Sequence, residues 1–318
     1  MSIPAHRVPA ADGWLLDVLD LVPEGQPRAI VIAGHAMMVD RRTFRPAATR
    51  QPGRPGLAPT LVDAGFRVLL PDLRGHGRSG PTPREGGDWS YDQLVADTGV
   101  YVDLARSLAP ELPVVLLGHS LFAHTSLAWL GQHPAAPVAA HVALAMDVWM
   151  RACEPSRPRW LVKRAAMSAA AAVAAVAGYL PSARVGLGSM DEAAGYWADI
   201  TRGVRSGVWR GRDGVDYHAG LAAIRCPCLH VVSAGDRLLA NPAAALRLTA
   251  AIPRRTTWQL GTDAAFADLR PDHMGLLTGP SEPLWRALAR WLNQQMDPQR
   301  DPQRDPQRDP QRDPQRDP

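Results

Sequence analysis

The sequence predicts an α/β fold: a mostly parallel, doubly wound sheet with helices on both faces and a helical insertion. Three observations carry this. Short continuous apolar runs recur along the chain, separated by stretches of helical pattern, as buried parallel strands require. Each run stops at a glycine-rich or polar segment, where sheets of this kind place their chemistry, beyond the carboxyl ends of the strands. The chain has 318 residues, 46% hydrophobic and 21% charged, enough for one large core with an inserted subdomain.

Taken in order, Trp14–Leu21 reads as an early strand, and Ala29–Ala33 as a buried strand ending at Gly34-His35-Ala36-Met37. Arg67–Pro71 is the next, ending at Asp72-Leu73-Arg74-Gly75-His76-Gly77-Arg78-Ser79-Gly80. Val114–Leu117 runs into Gly118-His119-Ser120-Leu121-Phe122 and then the helical stretch Ala123–Gly131. Val138–Met146 ends at Asp147, Cys228–Ser233 runs toward Asp236, Thr256–Leu260 is the last strand, and Pro283–Gln295 is a closing amphipathic helix. Between Asp147 and Ala219 the strand pattern stops. Trp149, Trp160, Trp197 and Trp209 mix there with alanine-rich and arginine-rich helical segments. The expected organisation is a core of residues 1–147 and 219–296, a helical lid of residues 148–218, and a tail of residues 297–318. That tail iterates Asp-Pro-Gln-Arg; proline at every fourth position and no apolar residue predict disorder.

The formal net charge is +4 and the basic residues are almost all arginine, with Lys163 the single lysine. The charges are interspersed with acids and no aromatic-plus-basic block occurs, which argues against nucleic-acid binding. Cys153, Cys226 and Cys228 form neither a disulfide framework nor a zinc spacing, so no metal is expected. Met1–Arg7 lacks a secretory apolar region, and Ala165–Leu180 is alanine-rich, short of a membrane span and flanked by Lys163-Arg164. A cytoplasmic protein with no membrane partner is expected.

The chemistry centres on Ser120. A strand that enters a sharp turn and then a helix lifts one side chain above the sheet edge, beside backbone N–H groups that suit a developing oxyanion. His273, in Arg270-Pro271-Asp272-His273-Met274-Gly275, is placed to serve as its base. Asp236, at the end of the preceding strand, supplies the carboxylate that fixes the imidazole tautomer. The chain order Ser, Asp, His is the one this architecture uses. Asp147 is a rival acid because it too ends a strand, and Asp272 sits too close to His273 in sequence to orient its ring. The oxyanion donors are expected to be the backbone N–H of Leu121 and that of Met37, with Ala36 as the alternative. His35 is read as a structural group that holds the loop by a hydrogen bond, with a substrate contact as the alternative. The glycine-rich segment at 72–80 lacks the Gly-Lys-Ser/Thr ending of a phosphate loop and is read as a tight structural loop.

Pro71-Asp72-Leu73-Arg74-Gly75-His76-Gly77-Arg78-Ser79, Gly118-His119-Ser120, Gly235-Asp236 and Asp272-His273 together resemble the α/β-hydrolase superfamily over about Ala11 to Gln295. Gly178-Tyr179-Leu180-Pro181, Gly186-Leu187-Gly188 and Tyr196-Trp197 are similar to the lid of a bacterial group of lidded hydrolases. The resemblance implies serine-dependent acyl transfer to water, a small-molecule acyl substrate and no cofactor. One departure stands out: the second residue after the nucleophile is usually glycine and here is Phe122. Such a side chain must move the helix, fill a space left by a neighbour, or point into the pocket. A carboxylesterase is the first reading. A thioesterase or acyltransferase is second and an aminopeptidase third. A binding protein that has lost turnover is the reading from another class. A hydrolase with an aspartate nucleophile is disfavoured because position 120 is serine.

Overall fold

The computed structural model describes residues 4–45 and 56–297. The expected disordered tail lies outside them apart from Asp297. Eight strands form one sheet: β1 (Ala5–Pro9), β2 (Leu15–Leu21), β3 (Ile30–Gly34), β4 (Arg67–Pro71), β5 (Val114–His119), β6 (Val138–Leu144) and, after the insertion, two more at Cys228–Ser233 and Arg255–Leu260. The order across the sheet is β1-β2-β4-β3-β5-β6 followed by those two. The pairs β1/β2 and β2/β4 are antiparallel and the remaining pairs parallel.

Alternation along each strand assigns side chains to two cores. Ile30, Ile32, Val114 and Leu116 pack on one face with α2 (Tyr91–Leu108) and α3 (Leu121–Gln132). Val31, Ala33, Val115 and Leu117 pack on the other with α1 (Leu57–Asp63) and with the C-terminal helix at Glu282–Gln295. The expected strands are present, with ends shifted by a residue or two. Val138–Met146 stops at Leu144 because Ala145 takes a left-handed φ of 47°. Strand β1 had no counterpart in the sequence reading. Its residues Ala5-His6-Arg7-Val8-Pro9 are half-exposed at the sheet edge and form no apolar run.

Between β6 and the next sheet strand lie α4 (Arg157–Ala177), β7 (Tyr179–Leu180), β8 (Glu192–Ala193), α5 (Ala194–Ser206) and the short α6 (Tyr217–Gly220). Helix α4 is capped by Ser156, whose side chain accepts from the Arg159 N–H, and stops at Gly178 with φ 79°. At 21 residues it is longer than the alanine run alone and, by length and composition, would suffice to cross a membrane. Its inward positions, Trp160, Lys163, Met167 and Ala174, follow helical spacing and are buried; α4 packs against α5 and β7. After the insertion come β9 (Cys228–Ser233), α7 (Pro242–Leu248), β10 (Arg255–Leu260), α8 (Gly275–Thr278) and α9 (Glu282–Gln295).

Candidate active site

Strand β5 and helix α3 meet at Ser120, whose φ of 51° and ψ of −103° lie where a residue with a side chain is strained. The surroundings hold it there. Its N–H donates to the Leu144 carbonyl (2.9 Å), and the Phe122 N–H donates to the His35 carbonyl (3.3 Å). Gly118 lets α3 approach the strand: a Cβ at that position would lie 2.2 Å from the Ala123 nitrogen. Leu121 is the first residue of α3, where a backbone N–H has no partner within the helix. The positive end of the helix dipole falls at the same place.

Phe122 is fully buried among the core residues of the α2–α3 face, near Tyr101. It fills the space over Gly34 rather than entering the pocket. Of the three outcomes open from the sequence, the structure has the second.

His273 stands in the loop between β10 and α8. Its Nδ1 lies 2.6 Å from Asp236 Oδ2, an arrangement in which Nδ1–H donates to the carboxylate. Asp236 Oδ1 accepts from the Leu239 N–H (3.1 Å). Burial pushes the Asp236 carboxyl up, but the hydrogen bond and charge of His273 and the amides of Leu239 and Ala240 bring it below its ordinary value. His119, next to Ser120, donates from Nε2 to the His273 carbonyl (2.9 Å), so the turn that carries the hydroxyl also props the imidazole loop. Burial, then the neighbouring His273, lower His119 to about 3, which keeps it a neutral prop.

Ser120, His273 and Met37 line one cavity of about 440 Å³. Its wall is mostly apolar and is supplied largely by the insertion, through Met167, Trp197, Val204 and Trp209. Asp147 also reaches the wall but binds elsewhere. Its Oδ2 lies 3.1 Å from Lys163 Nζ, which also pairs with Glu154 Oε2 at 3.1 Å. Burial raises Asp147 to about 6 despite the lysine. Asp147 therefore serves the insertion, and the carboxylate on His273 is Asp236. Asp272 caps the Gly275 N–H (2.7 Å).

The loop at 72–80 is filled from within. Asp72 accepts from the N–H groups of Arg41 (3.1 Å) and Arg78 (3.0 Å), and a Cβ on Gly77 would lie 2.2 Å from its carboxylate. Those amides face the loop's own aspartate. Arg74 is buried against Asp97 in a two-pronged pair (2.9 and 2.7 Å). His35 is the structural group expected of it: Nδ1 donates to the Ala36 carbonyl (2.7 Å), and Nε2 accepts from the Leu73 N–H (2.9 Å). Burial and the neighbouring His76 lower it to about 3, the neutral form this pattern needs.

Two contributors escaped the sequence reading. His76 and Glu192 are fully buried partners 3.1 Å apart, joining the 72–80 loop to the insertion. Burial works against the charged imidazole, but the Glu192 carboxylate raises His76 above its ordinary value. The available signal was Asp191-Glu192, an acidic pair between the two glycine- and alanine-rich stretches of the insertion.

A family model described as serine aminopeptidase, S33, matches residues 55–260. The chain belongs to this α/β-hydrolase family. No curated protein matches it in sequence. Among solved structures it is similar to a thermophilic esterase from Thermogutta terrifontis at 17% identity and a TM-score of 0.58, over 92% of this chain and 100% of that one. An esterase from Exiguobacterium antarcticum matches at 16% identity and a TM-score of 0.60, over 91% and 100% of the two chains. A thioesterase domain from the curacin biosynthetic pathway matches at 16% and 0.54, over 92% and 100%. At these identities the likeness is one of fold. Membership of the S33 α/β-hydrolase family makes the protein a hydrolase.

Proposed function

We propose that this hydrolase is a serine esterase acting on an uncharged ester with an apolar acyl portion. The observation that carries the reading is the Asp236–His273 pair, whose imidazole shares an apolar cavity with Ser120 on its strained turn. Residues 148–218 act as the lid that shapes the acyl site.

The Ser120 hydroxyl attacks the ester carbonyl carbon while its proton passes to His273 Nε2. Asp236 stabilises the imidazolium through Nδ1–H. The carbonyl oxygen becomes an oxyanion facing the N–H groups of Leu121 and Met37. Collapse breaks the bond to the alcohol oxygen, which takes the proton from His273 and leaves an acyl-enzyme. Water then attacks the acyl carbon, giving one proton to His273. That proton returns to Ser120 Oγ as the acid departs.

The acidic side chains on the cavity wall favour an ester over a peptide amino terminus. Asp147 pairs with Lys163, and Asp199 with Arg202 and Arg212. Asp92 accepts from the Tyr217 hydroxyl (2.8 Å) and the Arg212 N–H (2.8 Å). Asp92 and Asp199 have both oxygens engaged; Asp147 keeps one buried oxygen, Oδ1, without a hydrogen-bond partner, but its charge is already paired with Lys163. A thioester would use the same first half-reaction.

The test is fluorophosphonate labelling of the full chain beside Ser120→Ala and His273→Ala, with the adduct located by mass spectrometry. Labelling on Ser120 that both substitutions abolish supports the reading. A folded protein that takes no label would point instead to a binding protein without turnover.

A further inference from the structure

The second oxyanion donor sits on a loop that the core does not hold by itself. Met38, next to Met37, has a left-handed φ of 61°. Without glycine at that position the conformation must be imposed from outside. Both polar groups of its backbone are held by the insertion. The Met38 N–H donates to Glu192 Oε1 (2.6 Å), while the Met38 carbonyl accepts from the N–H groups of Ser189 (2.8 Å) and Met190 (2.9 Å). Gly188 is part of the same clamp, because a Cβ there would lie 2.2 Å from the Met38 oxygen.

Glu192 is itself fixed. Its Oε1 also meets His76 Nε2 (3.1 Å), while His76 Nδ1 faces the Arg74 carbonyl (2.8 Å). The Met38 N–H and His76 Nε2 thus converge on one fully buried oxygen of Glu192, which fixes the acceptor of the Met38 amide in place.

We propose that Glu192 is a positioning residue: through the Met38 N–H it sets the peptide that aims the Met37 N–H at the reacting carbonyl oxygen, so the oxyanion hole is completed by the insertion. This rests on the serine-esterase reading above. Glu192 touches no substrate. Its effect is on the transition state, because a donor displaced by less than an ångström loses an oxyanion more than it loses a neutral carbonyl.

The experiment compares wild type, Glu192→Ala, Glu192→Gln, Gly188→Ala and Ser120→Ala on a p-nitrophenyl ester. Each is also titrated with a trifluoromethyl ketone, whose serine adduct carries the oxyanion, and with the matching methyl ketone, which forms such an adduct far less readily. Glu192→Ala should lower kcat by about 100-fold, the loss found when one oxyanion donor is removed, with KM within about threefold. Trifluoromethyl ketone affinity should fall in step with kcat/KM while methyl ketone affinity holds. Glu192→Gln keeps an acceptor oxygen for the Met38 N–H and should recover most of the loss. Gly188→Ala presses on the same carbonyl without removing a charge and should show the same kcat-weighted defect. It decides the matter if Glu192→Ala does not fold.

Folded Glu192→Ala or Gly188→Ala with unchanged kcat, or with both ketones weakened equally, would overturn the proposal and leave Glu192 a packing residue. Turnover persisting in Ser120→Ala would overturn the esterase reading and this inference with it. Loss of turnover in Ser120→Ala beside normal turnover in the other variants would remove this inference alone.

Discussion

Phe122 occupies the volume that a side chain on Gly34 would need: a Cβ built there would lie 2.1 Å from the phenyl Cγ. One residue closes β3, just before the loop of Met37, and the other belongs to the first turn after Ser120. Their complementarity sets the spacing between the two sides of the site.

Gly34→Ala should therefore cost stability and activity together. Overpacking of this kind costs about 1–3 kcal/mol, and displacement of α3 should lower kcat. Phe122→Ala alone should cost about 3–5 kcal/mol as a cavity. The double variant should cost less than the sum of the two, and urea denaturation of all four proteins measures that coupling.

Asp236→Asn should leave the fold intact and lower kcat by about 10⁴-fold, since the amide can hold the wrong imidazole tautomer. Asp147→Asn should lower kcat far less, because Asp147 is bound to Lys163 and not to His273. Steady-state rates on one ester separate the two carboxylates.

His119→Ala removes the support under the His273 carbonyl and should lower kcat by about 10- to 100-fold, as expected of a small misplacement of the base. The melting temperature should move little by comparison with Phe122→Ala, and thermal scans beside rate measurements test this.

Lys163 is buried between Asp147 and Glu154. Lys163→Met leaves two carboxylates facing each other and should cost about 3–5 kcal/mol near neutral pH. The loss should shrink as Asp147 takes up a proton in acid.

Asp147 also sets a pH dependence. Its folded value of about 6 lies above the ordinary 3.8, so between those limits the folded state holds a proton that the unfolded state has released. Stability from this group is full below about pH 4 and is lost as pH rises through 6, by about 3 kcal/mol in all. Asp147→Asn should flatten that part of the stability curve, measured by denaturant titration from pH 4 to 7.

The parallel strands were legible because their runs are continuous and apolar, and the loops at their ends because glycine, histidine and aspartate gather there. Ser120 and Asp236 could be named because each lies within three residues of a strand end, and His273 because it stands between the last strand and the last helices, the three in a fixed chain order. Strand β1 was not legible, because an edge strand with His6, Arg7 and Pro9 carries no hydrophobic pattern. The meaning of Phe122 was also hidden: it depends on Gly34, 88 positions earlier, and on no local signal. The role of Glu192 was hidden for a related reason, with only the Asp191-Glu192 pair to mark it. Its partners, Met38 and His76, lie 154 and 116 positions away, and a carboxylate buried by tertiary contact looks, in one dimension, like a solvated one.

Because Ser189, Met190 and Glu192 grip the loop of Met37 and Met38, the helical insertion is not an exchangeable specificity cassette. On the proposed reading, grafting it onto a related scaffold, or replacing it from one, would carry part of the machinery for turnover along with the acyl site. On that reading, the same stretch of chain sets both which acyl group is accepted and how fast it is turned over.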